Sequence, residues 1–218
     1  TCDMKGFIAA AVAMAPHLAG KQLRRPVHFA FTHDEEVGCL GARNLSDILR
    51  DRDTKPGLAV IGEPTMMRII EGHKGCCEYT ARFTGLEGHG SNPDRGVNAA
   101  AYAVKYVSRL LELAEDLKRR VPRESRFDPP WTTVNIGRIA GGVAHNVIPG
   151  EARARLSIRF NDRHSGASLS EKVTAIGARH QVDVRPVISG EPFLTPPGAF
   201  SQMVGEAVEA ETGVAPEA

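Results

Sequence analysis

The chain has 218 residues, 42% apolar and 24% charged, with 27 Lys and Arg against 26 Asp and Glu and a formal net charge of +1. This composition excludes a disordered chain, and the balanced charge leaves no global field to attract nucleic acid or an anionic membrane. The length suits one large domain or two small ones, with a core that needs no disulfide staples. In chain order, Lys5 to Leu18 is apolar on nearly every face and predicts a buried helix ending near Pro16. Pro26 to Thr32 (PVHFAFT) and Leu58 to Ile61 (LAVI) read as buried parallel strands, with a helix over Leu40 to Leu49 between them. Helix, strand, helix, strand with short connections implies a parallel sheet covered by helices.

The pattern then changes. Cys77 to Thr84 alternates polar and apolar, as a half-exposed strand does. Asn98 to Leu117 is an amphipathic helix whose inner face gathers Ala99, Tyr102, Ala103, Tyr106, Leu110, Leu113 and Leu117. A Pro-containing loop spans Arg123 to Pro130. Strands follow at Thr132 to Ile139 and Ala152 to Phe160, then a helix at Leu169 to Ala178 and a strand at Val182 to Ile188. Strand, helix, strand, strand, helix, strand is the ferredoxin-like plan, placed at residues 73–189. A Pro/Gly-rich loop and a helix at Ser201 to Glu211 come last. Residues 1–72 and 190–218 are assigned to a second, incomplete α/β domain.

The four cysteines, Cys2, Cys39, Cys76 and Cys77, have neither disulfide-framework nor CxxC spacing, which points to a reducing cytosol. The longest apolar run, Phe7 to Ala15, is too short and Ala-rich to span a bilayer. The chain starts at Thr1 without an initiator Met and stops just after a helix-like stretch. The expectation is an internal piece of a longer protein.

In open α/β sheets, ligands bind beyond the carboxyl ends of the strands. Asp34, Glu35 and Glu36 follow PVHFAFT, Glu63 follows LAVIG, and Asp3 precedes the first helix. The chain has three adjacent acidic pairs, Asp34-Glu35, Glu35-Glu36 and Glu115-Asp116, about as many as chance supplies, so placement rather than pairing is the signal. Acids at a sheet rim are costly to desolvate unless a cation compensates. Solvated loop acids and helix caps remain the competing reading. Two adjacent glutamates also suit a metal ligand beside a general base. A zinc site would need imidazole as well. His17 and His28 fall within a helix and a strand, and His33 alone is well placed.

In order along the chain stand Thr1-Cys2-Asp3-Met4-Lys5-Gly6, His33-Asp34-Glu35-Glu36-Val37-Gly38, Gly62-Glu63-Pro64-Thr65 and Gly88-His89-Gly90-Ser91. With these the chain resembles the di-zinc amidohydrolases that comprise acetylornithine deacetylase, succinyl-diaminopimelate desuccinylase, aminoacylase and glutamate carboxypeptidase. His73-Lys74-Gly75, Arg95 to Ala99, Pro130 to Gly137 and Gly141-Gly142 with Asn146 make it look most like the acetylornithine deacetylase branch. The resemblance covers essentially the whole chain. It implies a zinc-peptidase-like α/β catalytic domain at 1–72 and 190–218, interrupted by a ferredoxin-like dimerisation or lid domain at 73–189.

The resemblance further implies two zinc ions per subunit, with cobalt able to replace them. Asp3 would bridge the metals, Glu36 and Glu63 would each ligate one, and Glu35 would be the general base. His89 would serve the partner subunit's active site by polarising the scissile carbonyl, helped by Asn146. Arg159 is a candidate for the substrate carboxylate, and Lys74 a weaker one. The two imidazole ligands of the family would lie before Thr1 and after Ala218, and His17, His28 and His33 do not occupy those positions. The implied activity of the whole protein is hydrolysis of a small N-acyl amino acid, N2-acetylornithine in arginine biosynthesis, by a cytoplasmic homodimer. Desuccinylation of a diaminopimelate derivative or a general aminoacylase activity is the alternative within the family. A non-catalytic dimerisation module is the alternative outside it.

Overall fold

The computed structural model describes residues 2–121, 124–179, 182–196 and 198–217. Thr1 of the first motif, Arg123 at the start of the expected loop, and Pro197 lie outside them. The chain divides into two units, Thr1–Glu71 with Pro196–Ala218 and Gly72–Thr195.

The Gly72–Thr195 unit is built on a four-stranded antiparallel sheet. Its strands are β2 (Gly75–Thr84), β4 (Thr133–Gly141), β6 (Glu151–Phe160) and β7 (Val182–Gly190), in spatial order β4-β6-β2-β7. This is the ferredoxin-like order, as expected from the alternating patterns. Helices α3 (Ala99–Arg119) and α4 (Arg163–Arg179) both pack on the sheet. Successive strand residues point to opposite faces, so β2 sends Cys77, Tyr79, Ala81 and Phe83 inward, and β6 sends Ala152, Ala154, Leu156, Ile158 and Phe160. Ala99, Ala103, Tyr106, Val107 and Leu110 of α3 and Leu169 and Val173 of α4 close the core. The rings of Phe83 and Tyr106 meet edge to face at 5.6 Å. Full burial of a side chain such as Leu110 stabilises by about 1.5–3 kcal/mol.

Two short ladders were not expected. β1 (Gly72–His73) pairs with β8 (Phe193–Leu194), and β3 (Gly88–His89) pairs with β5 (Val147–Ile148). Helix α4 also starts six residues before the expected Leu169. Asp162 precedes it, and its carboxylate accepts from the Ser165 backbone N–H at 2.8 Å and from the Ser165 hydroxyl at 2.6 Å. That capping interaction begins the helix early.

The other unit carries α1 (Lys5–Ala19), α2 (Leu40–Asp51) and α5 (Ala199–Thr212). The expected strands at 26–32 and 58–61 are not formed, because a strand exists only through ladder partners and none is present for these segments among the described residues. Their apolar side chains stand open, with Phe31 at 56% and Ile61 at 70% exposure. The expected burial of α1 fails for the same reason: none of its residues is buried. Among the described residues of this unit only Gly41 is buried, so the hydrophobic core belongs to the sheet unit. Local packing still fixes the chain at Gly62, where an added Cβ would fall 2.1 Å from the Phe7 ring. The segment after α5 is held by Ile69, whose N–H donates to the Glu217 carbonyl at 2.9 Å. No helix among the described residues is long and apolar enough to cross a membrane.

Candidate active site

The acids of the first unit are positioned by one tight turn. Asp34 takes φ 55°, a left-handed conformation that Asp tolerates better than most residues. The carbonyl of Glu35 accepts from the N–H groups of Gly38 and Cys39, and that of Asp34 from Leu40. Gly41 then donates to the His33 carbonyl at 3.0 Å, and an added Cβ at Gly41 would lie 2.5 Å from the His33 nitrogen. The chain thereby reverses directly into α2, with Glu35 and Glu36 exposed at the bend. The Cys39 thiol lies 3.8 Å from Glu35 Oε1. Burial, and after it the charge of Glu35, push that thiol's pKa up.

Glu63 reports how the acids are gathered. Its carboxyl is held above the usual carboxylate range, first by burial and then by the charges of Asp3, Glu35 and Glu36. Three carboxylates from two other segments therefore act on Glu63 through their charge. Like charges brought together favour a divalent cation as their counter-charge. The donor set is nevertheless partial. It is all oxygen, and no group of three or more His, Cys, Asp or Glu side chains among the described residues is placed to hold a metal ion. His33 Nδ1 is engaged with Asp34 Oδ2 at 3.0 Å, and its ring joins no group placed to hold a metal ion among the described residues.

The sheet unit holds the other candidates. His89 lies on β3 opposite Val147, and the Gly90 N–H donates to the Asn146 carbonyl at 2.7 Å. His89 and Asn146 are thus brought to one place from segments 57 positions apart. The Ser91 N–H donates to His89 Nδ1 at 3.3 Å, and the Ser91 hydroxyl lies 2.7 Å from the same nitrogen. A backbone N–H can only donate, so in the neutral ring Nδ1 accepts and the proton resides on Nε2. The His89 side chain is exposed and presents Nε2–H as a donor.

Arg159 is exposed on β6, across from Cys76 on one side and Thr133 on the other. It is not brought next to His89 by any hydrogen bond or ladder among the described residues. Lys74 is committed elsewhere. Its Nζ donates to the carbonyls of Pro129 at 2.5 Å and Trp131 at 2.8 Å, and burial pushes its pKa down against the opposing charge of Asp128. The same turn is held by Asn161, whose Nδ2 donates to the Pro130 carbonyl, and by the Lys118 ammonium over the Trp131 ring. Sequence reading missed Ser91 as the group that fixes the His89 tautomer. The signal was available, since a hydroxyl two residues after a histidine can reach the ring.

Residues 71–185 match the family model described as the peptidase dimerisation domain of the M20 group. The chain is 43% identical over 99% of its length to a succinyl-diaminopimelate desuccinylase of Erythrobacter litoralis, and 41% identical over 99% to that of Novosphingobium aromaticivorans. It is 42% identical to an acetylornithine deacetylase of Myxococcus xanthus, over 70% of the chain. The chain spans only 56% and 57% of the two desuccinylases and 38% of the deacetylase. Among solved structures, a tripeptidase from Staphylococcus aureus covers 69% of this chain at 21% identity with a TM-score of 0.52, and 39% of that tripeptidase is matched. At that identity the likeness concerns the fold alone.

Proposed function

Because the chain belongs to the M20 peptidase family, we propose that the whole protein is a metal-dependent hydrolase of the amide bond in a small N-acyl amino acid. An N-succinyl substrate is the preferred reading. The desuccinylase relatives align along 99% of the chain, and the acetylornithine deacetylase along 70%. N2-acetylornithine is therefore the less supported substrate. The observation that carries the proposal is the match of residues 71–185 to the M20 dimerisation-domain model, together with relatives named desuccinylases that align along 99% of the chain.

In this reading Asp3, Glu36 and Glu63 would hold the metal, zinc by resemblance, with imidazole ligands supplied from outside the described residues. When bound, such an ion polarises the amide carbonyl and acidifies water. Glu35 accepts the proton of the attacking water on its carboxylate and delivers it to the leaving nitrogen. His89 donates its Nε2–H to the carbonyl oxygen as negative charge develops there, a contribution of about 3–4 kcal/mol for one such donor. Asn146 assists from the adjoining turn, and Arg159 receives the substrate carboxylate. Lys74 has no substrate role in this reading, because two of its donors are already used. The dimerisation domain brings two copies together, with His89 serving the partner's site. A cytoplasmic location belongs to the same proposal.

The test is steady-state hydrolysis of paired N-succinyl and N-acetyl amino acids by the whole protein, with and without a chelator. The expected result is chelator-sensitive cleavage with kcat/KM about tenfold or more in favour of the succinyl series. Chelator-insensitive turnover, or no amide cleavage with any member of the panel, overturns the proposal.

A further inference from the structure

The outer face of the four-stranded sheet carries a second set of polar groups that none of the roles above uses. Alternate residues of β6 point away from the helices: Arg153, Arg155, Ser157 and Arg159. Most charge on this face is neutralised locally. Arg82 and Arg153 share Glu151, at 3.0 and 2.5 Å, and Arg185 pairs with Asp183 at 2.8 Å. Arg138 and Arg159 stand without an ion pair among the described residues, and the charged groups that line a cavity on this face are two of opposite sign. Glu78 and Arg155 have no ion pair among the described residues, although both line one cavity of about 170 Å³ with Thr80, Asn135 and Ser157.

The ladder fixes where these groups stand. Glu78 lies opposite Ser157, which lies opposite Asn135 on its other side. Thr80 lies opposite Arg155, which is flanked in turn by Arg138. Glu78 and Arg155 are therefore diagonal neighbours on adjacent strands, separated by about 7–8 Å of backbone. Arg138 beside Arg155 adds a like-charge repulsion that a bound anion relieves. The cavity, about 170 Å³, has room for a small molecule.

We propose that this cavity binds a free α-amino acid. Its carboxylate would take the planar fork of Arg155, its ammonium the carboxylate of Glu78, and the Ser157 and Thr80 hydroxyls and Asn135 amide would complete the donor and acceptor set. A zwitterion satisfies both charges of the cavity lining at once, whereas a simple anion faces Glu78 and a simple cation faces Arg155. The inference goes beyond the hydrolytic reading and does not depend on it, since none of these residues has a role in the cleavage proposed above and the test requires no turnover.

Binding to the protein is followed by NMR titration with L-alanine, with propionate, which lacks the amine, and with ethylamine, which lacks the carboxylate. The expected result is saturable millimolar binding of L-alanine and binding about tenfold or more weaker for each half-molecule. Glu78→Gln and Arg155→Gln should each weaken L-alanine by a similar factor, with Glu78→Gln sparing propionate. Circular dichroism checks that each variant is folded. If either is not, the three-probe comparison on the unaltered protein decides alone. Equal affinity for the three probes, no saturation by L-alanine, or undiminished L-alanine binding by folded Glu78→Gln overturns the proposal.

Discussion

The N–H of Gly90 meets the carbonyl of Asn146 at 2.7 Å, and an added Cβ at Gly90 would lie 3.0 Å from that same oxygen. This contact holds the β3 turn against the 144–147 turn and keeps His89 beside Asn146. His89→Ala should lower kcat of the whole protein about 10²-fold or more while leaving metal content and unfolding midpoint unchanged. If the site is shared across the dimer, mixing His89→Ala with Glu35→Ala protein should restore activity after subunit exchange. Absence of recovery after verified exchange would contradict sharing.

Lys74 separates a structural from a substrate-binding lysine. Its two hydrogen bonds reach carbonyls 55 and 57 positions away. Lys74→Met should destabilise the protein by about 2 kcal/mol, at about 1 kcal/mol for each bond lost, in denaturant unfolding. KM should stay near the unaltered value. A raised KM with unchanged stability would assign the lysine to substrate instead.

Asp162 is the cap that starts α4. Asp162→Ala should cost about 0.5–2 kcal/mol. Hydrogen bonds from the Ser165 hydroxyl and N–H hold this carboxyl below its ordinary 3.8. A depressed acid stabilises the fold in full above the unfolded value, and the contribution is lost as pH falls through the lower folded value. The difference in stability between Asp162→Ala and the unaltered protein should therefore shrink at pH below 3.8. A difference that stays constant into acid would show the loss to be packing alone.

Tyr106 is buried, and its hydroxyl has no hydrogen-bond partner among the described residues. Removing an unsatisfied buried group relieves a desolvation cost, so Tyr106→Phe should be neutral or stabilising by up to about 1 kcal/mol. Tyr79 adds a pH signature. Burial, outweighing a hydrogen bond with Ser170, pushes it from 10.0 to about 12. The unfolded chain ionises first, so stability should fall as pH rises from 10.0 toward about 12, and Tyr79→Phe should flatten that slope. A thermal melt series across this range decides both points.

The sheet unit was legible because its instructions are local and periodic. Ala152 to Phe160 alternates strictly, and every second residue from Ala152 is buried. The α3 face read from spacing is the face that packs, from Ala99 to Leu110, with Tyr102, Leu113 and Leu117 at its margin. PVHFAFT was misleading because apolar content states a preference for burial, while a strand also needs a neighbour on which to form its ladder. Lys74 was not legible, since its partners are set by a turn more than fifty positions away. The two-residue ladders at Gly72 and Gly88 carry no period to read. The acids were placed by chain order at segment ends and by the resemblance, and the fold adds that the charges of Asp3, Glu35 and Glu36 act on Glu63.

Metal content measured together with kcat on the Gln variants of Glu35 and Glu36 tests the proposed division of labour between them most directly. Glu35→Gln should retain metal after dialysis while kcat falls about 10²–10⁴-fold, the loss expected when a general base is removed. Glu36→Gln should lose metal at limiting supply and regain activity in excess. Near-unaltered kcat and metal content in both variants would mean that these are solvated loop acids, and would contradict the account.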